Sequence, residues 1–175
     1  MKTISELISQ EITPTDKNRK KQGEVPPPWK ATRRTAESEY EATVFNFLLD
    51  KKGELGIESV TKFKNRLVDG QVILSNRKLL VVEVKFRMNW ERACQAEWQF
   101  RQYLKRIATD PSRVDGAIVI FQEFSGDWKK ATASRKNAWG WEAWYLYHHD
   151  VEGKPMHLLM FSDGEFQGYP DHRSA

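Results

Sequence analysis

Residues Lys78 to Phe86 read Lys-Leu-Leu-Val-Val-Glu-Val-Lys-Phe. A run this apolar and this rich in β-branched side chains suits a strand covered on both faces. Such a strand needs layers above and below it, so the rest of the chain must supply them. With 175 residues, the chain is sized for one domain with at most an appended tail.

The flanking segments fit that demand. Residues 35–52 read as a helix, with Thr35 or Ser38 as N-cap and Gly53 as stop, because Tyr40, Val44, Phe47 and Leu48 recur at helical spacing. Ile57 to Phe63 and Arg66 to Leu74 read as strands, and Ser75-Asn76-Arg77 is a turn before the central strand. Asn89 to Ala108 reads as a long helix capped by Asn89. Ala117 to Phe124 is a further apolar strand, followed by strands over Trp141 to His148 and Met156 to Phe161. The order helix, three strands, helix, strand and a β-rich remainder predicts an α/β fold: a mixed central sheet flanked by helices.

The N-terminal region reads differently. Residues 1–11 have the pattern of a short amphipathic helix. From Ile12 to Arg34 seven basic residues face two acidic ones, a local net of +5 in a chain whose total is +4. Pro26-Pro27-Pro28 cannot join a helix. Residues 1–31 are therefore expected to form a basic, proline-containing arm, and residues 32–175 the folded domain. A basic arm of this kind suits a phosphate backbone. The longest apolar run is Ala117 to Phe121, far short of the roughly 18 residues a membrane span needs, so no membrane association is expected. The single cysteine, Cys94, excludes an internal disulfide framework. With no apolar centre for a secretory signal near the start, a cytoplasmic location is the expectation.

The central strand breaks its own pattern. Glu83 and Lys85, two residues apart, emerge on one face. Burying a carboxylate and an ammonium there is costly unless they pair with each other or bind something. Fourteen residues earlier lies Asp69, on the preceding strand. A turn near Ser75-Asn76 would place Asp69 beside Glu83, and two adjacent carboxylates invite a hard divalent cation, Mg²⁺ or Mn²⁺. On the preceding helix Glu41, with Glu37 in reserve, falls at or near the inward face. A structural ion pair in an unrelated α/β domain is the competing reading of Glu83 and Lys85.

Asp69 followed by Glu83-Val84-Lys85 resembles the PD-(D/E)XK nuclease superfamily, whose fold is restriction-endonuclease-like. Gln99-Phe100-Arg101-Gln102-Tyr103 is similar to the Gln-x-x-x-Tyr helix that follows the catalytic strand in RecB-type nuclease domains. The resemblance spans roughly Thr35 to Phe124, and Val68 stands where the named motif has proline. It implies an α/β/α sandwich and an Mg²⁺-dependent deoxyribonuclease, with Mn²⁺ as a substitute. Asp69, Glu83, the Val84 carbonyl and Glu41 would hold the metal. Lys85 would orient or help deprotonate the attacking water and stabilise charge developing on the phosphate. Gln99 and Tyr103 would support the site or touch substrate, and Arg92 would meet a phosphate. DNA is the implied partner, with RNA and self-association left open. The alternative is a protein of the same fold that binds nucleic acid or a protein partner without cutting.

Other residues read as structural. Cys94 suits a packed thiol. His148 and His149 face opposite ways on a strand and chelate poorly together. Trp128, Trp139, Trp141 and Trp144 lie among Lys129, Lys130, Arg135 and Lys136, where core packing competes with stacking on bases.

Overall fold

The computed structural model describes residues 1–9, 35–64, 67–88, 90–124 and 149–167. Residues 10–31 of the basic arm, the cap at Asn89, the Cys94 side chain, the tryptophan- and lysine-rich stretch and the strand expected over Trp141 to His148 lie outside the described residues.

Helix α1 (Ile4–Ser9) opens the fold. A reciprocal cap starts it: Glu6 N–H donates to Thr3 Oγ1 at 3.1 Å, and Thr3 N–H donates to Glu6 Oε2 at 2.7 Å. Two otherwise orphaned amides are thereby satisfied. Ile4 is completely buried, and its amide donates to the Leu55 carbonyl at 2.9 Å. This helix is therefore packed into the domain.

Helix α2 (Thr35–Asp50) leads through a tight turn into β1 (Ile57–Lys62), β2 (Gly70–Leu74) and β3 (Leu79–Met88). The β2–β3 hairpin closes where Asn76 Oδ1 accepts from Lys78 N–H at 3.1 Å and Arg77 takes a left-handed φ of 70°. Asparagine side chains make such turns by bonding to backbone two residues on. Helix α3 (Trp90–Arg106) then crosses back to β4 (Gly116–Phe124). Strands β3 and β4 are parallel, and a parallel pair requires a crossover of this kind. Asp115, just before β4, fixes the start of that pair. Its N–H donates to the Leu79 carbonyl at 2.9 Å, and its Oδ2 accepts from Leu79 N–H at 2.8 Å.

Strands β5 (His149–Val151), β6 (Lys154–Ser162) and β7 (Glu165–Gln167) complete a mixed seven-stranded sheet. Its order is β1-β2-β3-β4-β6-β5, with β7 also paired to β6. The β3–β4 and β4–β6 pairs are parallel and the others antiparallel.

The sheet separates two apolar cores. Leu80, Val82 and Val84 of β3 share one with Ile4, Val44 and Leu48. Val81 shares the other with Ala93, Ala96, Phe100 and Leu104 of α3. Each fully buried Leu, Ile or Phe contributes roughly 1.5–3 kcal/mol relative to exposure, so strand β3 carries the fold from both sides. The fold is thus α/β, with a mixed sheet between helices. Tyr40 pins α2 to β6 by donating its hydroxyl to the Phe161 carbonyl at 2.7 Å.

Candidate functional site

The β2–β3 register decides where the acids meet. Gly70 pairs with Val82, so one step further Asp69 falls beside Glu83. The chain leaves strand geometry at this point, and hydrogen bonds from backbone and side chain hold Asp69. Its N–H donates to the Val82 carbonyl at 3.0 Å, and its carbonyl accepts from Phe63 N–H at 2.8 Å. Its Oδ2 accepts from Val84 N–H at 2.8 Å. The carboxylate takes an amide that an ordinary strand would give to a main-chain carbonyl, and so ends the β2 ladder. This is why β2 begins at Gly70 and leaves Leu67, Val68 and Asp69 outside it.

Glu83 and Lys85 lie on the α3 side of β3, and both are buried. Lys85 Nζ donates to Glu83 Oε1 at 2.7 Å and to Gln99 Oε1 at 3.0 Å. Gln99 in turn donates from Nε2 to the Leu67 carbonyl at 2.9 Å. One α3 side chain therefore fixes both the amine and the segment that carries Asp69. The Leu67 link has no sequence signal, because it depends on how α3 lies over the β1–β2 connection.

Burial pushes the Glu83 carboxyl up to about 8, from an ordinary value of 4.5. The Lys85 ammonium opposes that rise, while the negative charges of Asp69 and Glu37 add to it. Glu83 Oε2 is buried with no hydrogen-bond donor among the described residues. A buried carboxylate oxygen in that condition carries the full cost of lost hydration.

The two α2 acids diverge. Glu37 Oε2 lies 3.2 Å from Arg92 Nη1, joining the first turns of α2 and α3. Glu41, a turn further on, lies 3.5 Å from Lys62 Nζ on β1. Glu37 is thus an acid whose charge reaches Glu83, and Arg92 is engaged with it. Lys62 was not singled out by sequence. The signal available was its place opposite Gly70 in the hairpin register. Tyr103 is buried, with its ring stacked on Phe63 at 6.1 Å between centroids, so it packs the layer beneath Gln99.

Among the described residues no three His, Cys, Asp or Glu side chains converge as a metal-binding group. Asp69 and Glu83 form a two-carboxylate set. That set suits Mg²⁺, which commonly takes one or two carboxylates and keeps waters or substrate oxygens in its remaining positions. A cation there would also satisfy Glu83 Oε2.

A cavity of about 290 Å³ lined by Met1, Lys2, Leu7, Phe47, Glu165 and Phe166 shares none of these residues. Among the described residues no helix is long and apolar enough to cross a membrane. Set beside family models, curated proteins and solved structures, the chain matches none of them.

Proposed function

We propose that this chain is an Mg²⁺-dependent deoxyribonuclease of restriction-endonuclease-like fold, a PD-(D/E)XK-type enzyme that hydrolyses phosphodiester bonds. The observation that carries the reading is the state of Glu83. One of its oxygens is held by Lys85 at 2.7 Å, and the other is buried with no donor among the described residues, beside Asp69. Asp69 and Glu83 would hold the cation with the Val84 carbonyl, and Mn²⁺ would substitute. When bound, the metal supplies a polarised phosphate and a more acidic water.

The chain's own residues do the remaining work. Lys85 is a fixed ammonium on the same face as Glu83, able to orient a water and to stabilise negative charge building on a phosphate oxygen. Gln99 holds that ammonium, so little reorganisation is needed when charge develops. Arg92, partly exposed and already bound to one anionic group, Glu37, is a phosphate contact at the rim. DNA is the substrate proposed.

The test is cleavage of single-stranded, duplex and branched DNA with Mg²⁺ or with chelator, comparing wild type, Asp69→Asn and Lys85→Met. Metal-dependent cutting by wild type and its loss in both variants is expected. Equal cutting by all three would overturn the assignment. Salt-sensitive DNA binding with no cutting under any metal would point to a non-cleaving binding protein.

A further inference from the structure

Lys62 closes β1 at the corner of the sheet nearest Asp69. It pairs with Gly70, the neighbour of Asp69, and the next residue, Phe63, donates its N–H to the Asp69 carbonyl at 2.8 Å. Its side chain is half-exposed, yet buried groups set where its ammonium stands. The Glu41 carboxylate, 3% exposed, lies 3.5 Å from it, and the Phe45 ring centroid lies 5.6 Å from it. An ammonium has three donors and no acceptor. Glu41 approaches from the α2 face, across the sheet from the α3 face that holds Glu83 and Lys85, and the 47% exposed side chain leaves donors facing water at the sheet edge, next to the backbone that carries Asp69.

We infer that Lys62 is a contact for a DNA backbone phosphate, held in position by Glu41, which acts here as a positioning residue. The inference rests on the nucleic-acid reading of the neighbouring site and deepens it by naming a second point of contact. The buried carboxylate explains why a long, flexible side chain would be fixed at this corner. A phosphate approaching from solvent completes the coordination that Glu41 leaves open, and each phosphate neutralised by a lysine releases condensed counterions.

The experiment titrates a labelled random-sequence DNA duplex in chelator, so that nothing is cut, across a series of salt concentrations. Wild type, Lys62→Gln, Lys62→Arg and the double variant Glu41→Gln/Lys62→Gln are compared. Loss of one phosphate contact lowers the slope of log K against log salt by about 0.9. That loss is expected in Lys62→Gln and in the double variant, with the slope retained in Lys62→Arg. The double variant removes the buried charge that Lys62 faces, so it keeps the test readable where Lys62→Gln is destabilised. An unchanged slope in the double variant overturns the inference and assigns Lys62 to fold stability alone. If wild type cuts DNA with Mg²⁺ while the slope is unchanged, only the Lys62 contact fails. If the slope falls as expected but wild type never cuts, only the nuclease reading fails. If wild type neither binds nor cuts, both fail.

Discussion

Lys85 and Gln99, on β3 and α3, meet at 3.0 Å, and the same ammonium lies 2.7 Å from Glu83. The amine at the centre of the site is therefore tied to the helix layer as well as to its strand. Lys85→Met should separate the chemical role from the structural one. It leaves the Glu83 carboxyl buried without its cation, a change that costs about 3–5 kcal/mol when such a pair is broken. Protonation of Glu83 reduces that cost. Glu83→Leu/Lys85→Met should recover most of the lost stability in urea unfolding while remaining inactive. Lys85→Met alone should cut DNA at least about 10²-fold more slowly, the usual effect of losing one preorganised charge-stabilising donor.

The titration of Glu83 predicts an unusual pH dependence. Its carboxyl titrates at about 8 in the folded protein against 4.5 ordinarily. Between those values the folded chain keeps a proton that the unfolded chain has lost. The contribution of this group is thus fully present below 4.5 and is lost as pH rises through about 8. Urea unfolding without divalent metal should show wild type losing stability across that interval relative to Glu83→Gln. A parallel profile for the two proteins would contradict it.

Metal uptake should run the other way. A cation at Glu83 requires the carboxylate, so binding of Mg²⁺ or Mn²⁺ should expel a proton and tighten as pH rises towards about 8. Calorimetry in buffers of differing ionisation enthalpy reads the released proton directly. Chelation should return the wild-type unfolding curve to its metal-free position.

Gln99→Leu should leave Lys85 with a single partner and strip the Leu67 carbonyl of its donor. The acceptor is part-buried, so the expected cost is at the low end for an unmet group, about 1 kcal/mol. The more telling readout is kinetic: kcat should fall more than KM rises, because the variant loosens the amine without removing a substrate contact.

Gly70→Ala probes the backbone under the acids. A Cβ there would collide with the Thr61 carbonyl and come within 2.8 Å of the Phe45 ring. Overpacking of this kind costs about 1–3 kcal/mol, and the movement that relieves it should displace the adjoining Asp69. Reduced thermal stability with weakened Mg²⁺ binding is the expected pair of effects. Wild-type values for both would show that the corner can yield freely.

The β2–β3 pairing at the site was legible for local reasons. The turn at Ser75-Asn76-Arg77 sets the hairpin register, and that register brings Asp69 to Glu83. The alternation of Val82, Glu83, Val84 and Lys85 assigns the charged pair to one face. The acids of α2 were harder to choose between. Helical angles place both Glu37 and Glu41 inward, but they stand about 6 Å apart along the axis. Which one reaches the site depends on how the helix lies across the sheet, a non-local fact.

Short elements were also hidden from the sequence. Strands β5 and β7 have three residues each, too few for any period to show, and exist because β6 offers them a pairing edge. Helix α1 had a readable amphipathic pattern, but its seat against Leu55 did not.

The Asp69 carboxylate serves as an architectural rung, through the Val84 amide, as well as an acid. Alanine at that position would remove both duties at once, so an inactive Asp69→Ala protein would not distinguish failed chemistry from an unfastened hairpin. Asparagine keeps an acceptor for the amide and discards only the charge. The choice of replacement residue thus determines what a loss of activity there can mean.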